Sequence, residues 1–165
     1  MGTTRNIRFL VMDVDGTLTD GKIYMGQSGE LFKVFDAGDG YAIKEILPSL
    51  DIIPVIITAR RSLIVENRAK ELSIAELHQG CSGKLDKLNE LLLRYSAQDG
   101  REYSLKDVAY IGDDILDLQC LIPISEAGGV AACPANAVEE VKQATNFICS
   151  RNGGNGAVRE LIEKL

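Results

Sequence analysis

Asp13 and Asp15 stand two residues apart in the run Asp13-Val14-Asp15-Gly16-Thr17, directly after the apolar stretch of residues 7–12. Residues i and i+2 share one face of an extended chain, so both carboxylates converge if a strand is just ending and Gly16 makes the turn. Asp before Gly is also a common cap or solvated turn, and the short motif alone favours that bland reading. A second acidic cluster shifts the balance. Residues 108–111 form another apolar run, and Gly112-Asp113-Asp114, then Asp117, come directly after it. Two buried strands that deliver carboxylates to their carboxyl ends set like charges against one another in a dry site, and a hard divalent cation resolves this. Mg²⁺ takes oxygen ligands, keeps several waters and typically uses a couple of carboxylates together with substrate phosphate. Thr58 closes the run Val55-Ile56-Ile57, and Lys84 opens a helical pattern after Gly83. Their hydroxyl and ammonium suit phosphate oxygens.

The elements that must position these groups follow from periodicity. Short β-branched runs alternate with amphipathic stretches, the pattern of strands crossing over through helices into a parallel sheet, so the expected fold is α/β with helices on both faces. Strands are expected over residues 7–12, 52–57, 108–111 and 129–132, with weaker ones near Leu77 and Phe147. Leu63, Val65, Ala69 and Leu72 mark one helical face, and Leu85, Leu88, Leu91, Leu92 and Tyr95 another. Asp39 is expected to cap a helix ending near Leu47 ahead of Pro48, and residues 96–105 to form a loop. Residues 22–35 break the alternation: two β-prone runs flank Gly26-Gln27-Ser28-Gly29, which reads as a β-hairpin. In an open α/β sheet ligands collect at the carboxyl ends of the strands, where both acidic clusters lie.

Composition narrows the function classes. The chain has 165 residues, a net charge of −6, 45% hydrophobic and 25% charged residues, which suits one globular domain over residues 1–165. The acidic balance, 5% aromatics and absence of Trp argue against a nucleic-acid partner. No apolar run reaches the ~20 residues of a membrane span, and no signal peptide is evident, so a soluble cytoplasmic protein is expected. Met1-Gly2 does not read as a myristoylation signal, because Asn6 stands where Ser or Thr is wanted. Cys81, Cys120, Cys133 and Cys149 form no C-x-x-C pair, and with His78 as the one imidazole they read as buried small residues, not a zinc site.

The ordered set Asp-x-Asp-Gly-Thr, Thr58, Lys84 and Gly-Asp-Asp-x-x-x-Asp resembles the four motifs of the haloacid dehalogenase-like phosphohydrolases. It is most similar to their small capless branch, which includes the 3-deoxy-D-manno-octulosonate 8-phosphate phosphatases and the sialic-acid-type 9-phosphate phosphatases. The likeness covers nearly the whole chain and extends to Thr19-Asp20-Gly21-Lys22-Ile23-Tyr24, Asp39-Gly40-Tyr41, Gln79-Gly80 and Gly156-Ala157-Val158-Arg159-Glu160. The resemblance implies Asp13 as the nucleophile that becomes an aspartyl phosphate and Asp15 as acid and base. It implies Mg²⁺ held by Asp13, the Asp15 carbonyl and Asp113, with Asp114 and Asp117 in support. Thr58 and Lys84 would bind phosphate, and Arg60, Gly16 and Thr17 the substrate, a phosphorylated sugar acid. In this branch such hairpins associate around a fourfold axis and help cover a neighbour's active site, which implies a homotetramer.

The sequence also departs from the branch. Thr58-Ala59-Arg60-Arg61 replaces the usual Thr-Gly-Arg or Thr-Gly-Glu, with Arg60 closer to the octulosonate type. Gly153-Gly154-Asn155-Gly156 lacks the arginine of Gly-Gly-Arg-Gly, and Arg151 is the candidate substitute. The sequence ends at Leu165, before the tail that some members carry over the active site. A two-component receiver domain uses similar residues, but would place its phosphoacceptor on a middle strand and its Lys near the end. A catalytically silent assembly module resembling this branch would have degraded motifs, whereas Asp13, Asp15, Asp113 and Asp114 are all present.

Overall fold

The structure, a computed structural model, describes residues 6–165, so the Met1-Gly2 reading lies outside the described residues. Its elements run β1 (Phe9–Met12), β2 (Tyr24–Gly26), β3 (Gly29–Phe32), α1 (Ala37–Tyr41), a π-helical turn (Ala42–Ile46) and α2 (Leu47–Ser49). Then come β4 (Ile53–Ile57), α3 (Leu63–Glu71), β5 (Glu76–His78), α4 (Lys84–Asp99), β6 (Val108–Ile111) and α5 (Leu118–Glu126). The chain closes with β7 (Val130–Cys133), α6 (Glu139–Ala144), β8 (Phe147–Ile148) and α7 (Ala157–Ile162).

Six strands form one parallel sheet in the order β5-β4-β1-β6-β7-β8, and β2 with β3 forms a separate antiparallel hairpin. The α/β reading holds, with helices on both faces. All four residues of β1 are fully buried, as a central parallel strand covered on both sides must be. Side-chain alternation splits the core. Leu10 and Met12 join the layer with Ile43, Leu47, Val65 and Leu161, while Phe9 and Val11 join the layer with Leu88, Leu91, Tyr110 and Leu121. From β1 the chain builds outward through β4 and β5 on one side, then crosses to β6 on the other. That reversal opens a crevice at the carboxyl ends. Met12 pairs in register with both Ile56 and Ile111, so Asp13, Thr58 and Asp113 leave the sheet at nearly one level.

Several boundaries differ from the sequence expectations. The cap of α1 is Asp36, whose carboxylate accepts from the Asp39 N–H at 2.8 Å. Asp39 is instead buried and accepts from the Arg159 N–H at 2.8 Å, tying α1 to α7. Pro48 does not end the helical run: Leu47 N–H reaches back to the Ala42 carbonyl in a wide π turn, and Pro48 sits in the first turn of α2, where its missing donor is harmless. Residues 96–99 are the last turn of α4 and not loop, because the left-handed residue that stops the helix is Gly100, at φ 62°. The hairpin strands are shorter than residues 22–35. Cys120, Cys133 and Cys149 are buried and free; His78 is partly exposed and pairs with Glu76 at 3.0 Å. Among the described residues no helix is long and apolar enough to cross a membrane.

Candidate active site

The carboxyl ends of β1, β4, β5 and β6 surround an open pocket of about 170 Å³ lined by Asp13, Asp15, Thr58, Arg60, Lys84 and Leu116, with Asp114 and Asp117. At its floor Lys84 enters as the first residue of α4, almost fully buried. Its ammonium lies 3.0 Å from Asp13 and 2.7 Å from Asp117. Burial alone would lower the Lys84 pKa, but the two carboxylates outweigh it and raise it, so the lysine is a fixed cation.

Asp117 is fully buried and spends both oxygens inside the protein. Oδ1 accepts from Lys84 and from the Tyr110 hydroxyl at 2.7 Å, and Oδ2 accepts from the N–H groups of Asp113 (3.0 Å) and Asp114 (3.2 Å). The loop after β6 is thus wrapped around one carboxylate. Gly112 is required there, since a Cβ on it would stand 2.3 Å from the Asp117 carboxyl carbon.

Oxygens of Asp13, Asp113 and Asp117 all lie within 4.8 Å of one another. Burial and then the charge on Asp117, opposed by Lys84, push the Asp13 pKa up to about 6. Burial, Asp13 and Asp117, opposed by the Thr17 hydroxyl, push Asp113 up to about 7. This hard, all-oxygen, mutually repelling donor set fits a divalent cation such as Mg²⁺. Asp113 and Asp13 are the groups able to hold it, while Asp117, with four donors on its two oxygens, is the group that positions them.

Gly16 and Thr17, expected at the substrate, both lie against Asp113. Gly16, at φ 89°, leaves room for Asp113: a Cβ would fall 2.0 Å from Asp113 Oδ2. Thr17 is fully buried and its hydroxyl donates to Asp113 Oδ1 at 3.1 Å. Asp114 is exposed and caps the turn of residues 115–117 through the Ile115 N–H. Arg60 does reach the pocket rim. Arg151 packs beside Gly156 and does not line this pocket. Asn136, not foreseen, joins the loops: its amide donates to the Gly16 carbonyl at 3.0 Å and accepts from the Gly153 N–H at 2.6 Å. Its one sequence signal is its place just past a strand end. Lys33 and Glu30 of the hairpin were also not foreseen; Lys33 lies 2.5 Å from Asp15 and 2.8 Å from Glu30.

No protein-family model matches the chain. Individual relatives do: it is 39% identical over its whole length, and over 82% of the relative's, to the 3-deoxy-D-manno-octulosonate 8-phosphate phosphatase of Escherichia coli (strain B / BL21-DE3). The corresponding protein of Yersinia pestis is 40% identical over 96% of this chain and 79% of its own. The chain belongs to the 3-deoxy-D-manno-octulosonate 8-phosphate phosphatase family. Solved structures agree. The family's phosphatase from Moraxella catarrhalis, in complex with magnesium, phosphate and the sugar acid KDO, superposes with TM-score 0.84 at 38% identity, covering 97% of this chain and 86% of that one. The cobalt-bound phosphatase from Haemophilus influenzae gives TM-score 0.82 at 34% identity, covering 97% and 87%. A putative haloacid dehalogenase superfamily (subfamily III A) hydrolase from Legionella pneumophila gives 0.80 at 32%, covering 96% and 81%. The haloacid dehalogenase-like fold is therefore shown along with the family.

Proposed function

We propose that the protein is a Mg²⁺-dependent phosphatase that hydrolyses 3-deoxy-D-manno-octulosonate 8-phosphate. The observation that carries this reading is the convergence of Asp13, Asp113 and Asp117 beside buried Lys84, at the carboxyl ends of adjacent strands, in a chain of this family. Asp13 attacks phosphorus, forming an aspartyl phosphate as the bond to the sugar oxygen breaks, and Asp15 gives that leaving oxygen a proton. Water then attacks phosphorus, Asp15 takes its proton, and Asp13 is released with inorganic phosphate. Lys84 and Thr58 face the equatorial oxygens, and such positioned charge is the main demand of phosphoryl transfer. Asp13, Asp113 and the Asp15 carbonyl would hold Mg²⁺, which neutralises charge on the transferring phosphoryl group. Arg60 contacts the sugar-acid portion.

The assembly belongs to the same proposal. Met25 and Leu31 are each 61% exposed, and Ile23, Phe32 and Val34 also face out, so a second copy on the hairpin would cover apolar surface that a lone chain leaves in water. The homotetramer rests on that exposure and on the family resemblance. The cytoplasmic setting is kept on the four free thiols. The reading is tested by phosphate release from a panel of eight- and nine-carbon sugar acid phosphates with Mg²⁺ present. The eight-carbon ester is expected to be preferred and Asp13→Asn to abolish turnover. A folded Asp13→Asn enzyme with near-normal turnover, or preference for another class of ester, would refute it.

A further inference from the structure

The hairpin inverts the usual pattern of an exposed ribbon. Its apolar Leu31, Phe32 and Val34 point to solvent, while the side chains of Lys33 and Glu30 are 2% and 14% exposed. Burying an ammonium is expensive unless close partners compensate, and Lys33 has two: Asp15 Oδ1 at 2.5 Å and Glu30 at 2.8 Å. Glu30 is itself held by the Ser62 hydroxyl at 2.9 Å, with Arg60 at 3.8 Å. Burial would raise the Glu30 pKa, but Lys33, Ser62 and Arg60 outweigh it and lower it. A continuous chain of polar contacts thus joins Asp15 to the loop between β4 and α3 through the hairpin. Lys33 and Glu30 both lie on the hairpin, and the Glu30–Ser62 bond already ties it to that loop. The contact on Asp15 adds something else: it fixes Oδ1 of a side chain that faces the pocket and leaves Oδ2 to handle the proton.

We propose that Lys33, clamped by Glu30, is a positioning residue that aims the Asp15 carboxylate at the leaving-group oxygen. This rests on the reading of Asp15 as acid and base. It makes the hairpin part of the catalytic apparatus of its own chain, separately from any cover it gives a neighbour. A group that acts through the general acid matters most where the leaving group is poor, and a fold defect would not discriminate between esters.

The test compares kcat/KM, which reports steps up to phosphoryl transfer, for 3-deoxy-D-manno-octulosonate 8-phosphate and for 4-nitrophenyl phosphate, using full-length enzyme with Mg²⁺. Because a positioned general acid contributes about 10²–10⁴-fold, Lys33→Met is expected to lose about 10- to 100-fold on the sugar ester and no more than about threefold on the aryl ester. Lys33→Arg should restore part of the loss. In an Asp15→Asn background Lys33→Met should cause little further loss on the sugar ester. Equal losses on both esters, or a full additional loss in that background, would overturn the proposal for Lys33. If Asp15→Asn itself loses equally on both esters, the acid role fails and the proposal goes with it. Thermal melts check folding, and if Lys33→Met does not fold, Glu30→Gln must show the same ester selectivity in kcat, which loss of an Arg60 contact read in KM does not move, or the proposal is wrong.

Discussion

Replacing Asp117 with Asn keeps its volume and removes its charge at the one point where the site's interior is knotted together. The side chain is fully buried and takes four hydrogen bonds: from Lys84, Tyr110, and the N–H groups of Asp113 and Asp114. The amide oxygen of Asn can still accept from the two backbone groups. Its NH₂ must then face the Tyr110 hydroxyl, which can turn to accept, and the Lys84 ammonium, which cannot. The loss is therefore concentrated in one broken buried ion pair, and because Asp13 still faces Lys84 it falls short of the ~3–5 kcal/mol of a charge left with no partner, at about 2–3 kcal/mol. Against a total stability of about 5–15 kcal/mol this is a large share, and at ~2–4 °C per kcal/mol for a chain of this size it lowers Tm by about 4–12 °C. Asp117→Ala should be worse, because Tyr110 and both N–H groups also lose their acceptor, each unsatisfied buried group costing ~1–3 kcal/mol. Urea and thermal unfolding of the metal-free proteins at neutral pH would measure both, and a double-mutant cycle with Lys84→Met should show a coupling of about 1–3 kcal/mol. Should Asp117→Asn unfold within about 1 kcal/mol of wild type, or the cycle close with no coupling, the ion pair is not what holds this loop.

Other perturbations separate neighbouring roles. Arg60→Ala is expected to raise KM for the sugar acid phosphate about 10-fold or more, the value of a hydrogen bond to a charged group, with little change for 4-nitrophenyl phosphate; parallel losses would sink the sugar-acid contact. Burial, opposed by the Arg159 and Gly156 N–H groups, pushes the Asp39 pKa from 3.8 up to about 6, so the native state disfavours its ionised form. Its contribution is intact below about pH 4 and is lost as pH rises through 6, and Asp39→Asn should gain about 1–3 kcal/mol at pH 7.5 and nothing near pH 4; a gain equal at both pH values would contradict burial as the cause. Light scattering should report about four chains, and removal of the hairpin strands with their turn at residues 26–29 should lower both the oligomer order and the activity; a fully active monomer would refute assembly in trans.

What was legible in the sequence divides by physical cause. The central strands could be read because β1, β4 and β6 are buried on both faces and carry continuous apolar runs, and the two acidic clusters could be placed because each follows such a run directly. The family motifs then grouped Asp13, Thr58, Lys84 and Asp113, and the structure places the first three on one pocket with Asp113 beside Asp13. Local signals misled where tertiary partners decide. Asp39 looks like a cap but its carboxylate is claimed by α7, 120 residues further on. Pro48 looks like a stop, yet a π turn absorbs it. Gly16 and Thr17 both lie against Asp113, which stands 96 residues beyond Thr17, a contact that no local spacing shows. Lys33 and Glu30 carried no motif at all. The signal present was two charges, three residues apart, inside an apolar ribbon, and only the packing shows which way they face.

The catalytic crevice crowds like charges that burial disfavours. Three carboxylates share a space of a few ångströms with one buried ammonium, and two of them are pushed toward their acid forms. A sequence selected for stability alone would replace Asp13 or Asp113 with an amide. That neither is replaced is understandable only if the excess negative charge is put to use, by drawing in a cation and then a phosphoryl group whose transition state needs both charges close. The same logic explains the placing of Asp117. In the proposed mechanism Lys84 faces phosphate oxygens and must stay charged while the Asp13 carboxylate is taken up in an acyl phosphate. A second carboxylate, Asp117, fully buried and saturated with four donors, lies 2.7 Å from the ammonium, so the position of Lys84 does not rest on the charge of Asp13 alone.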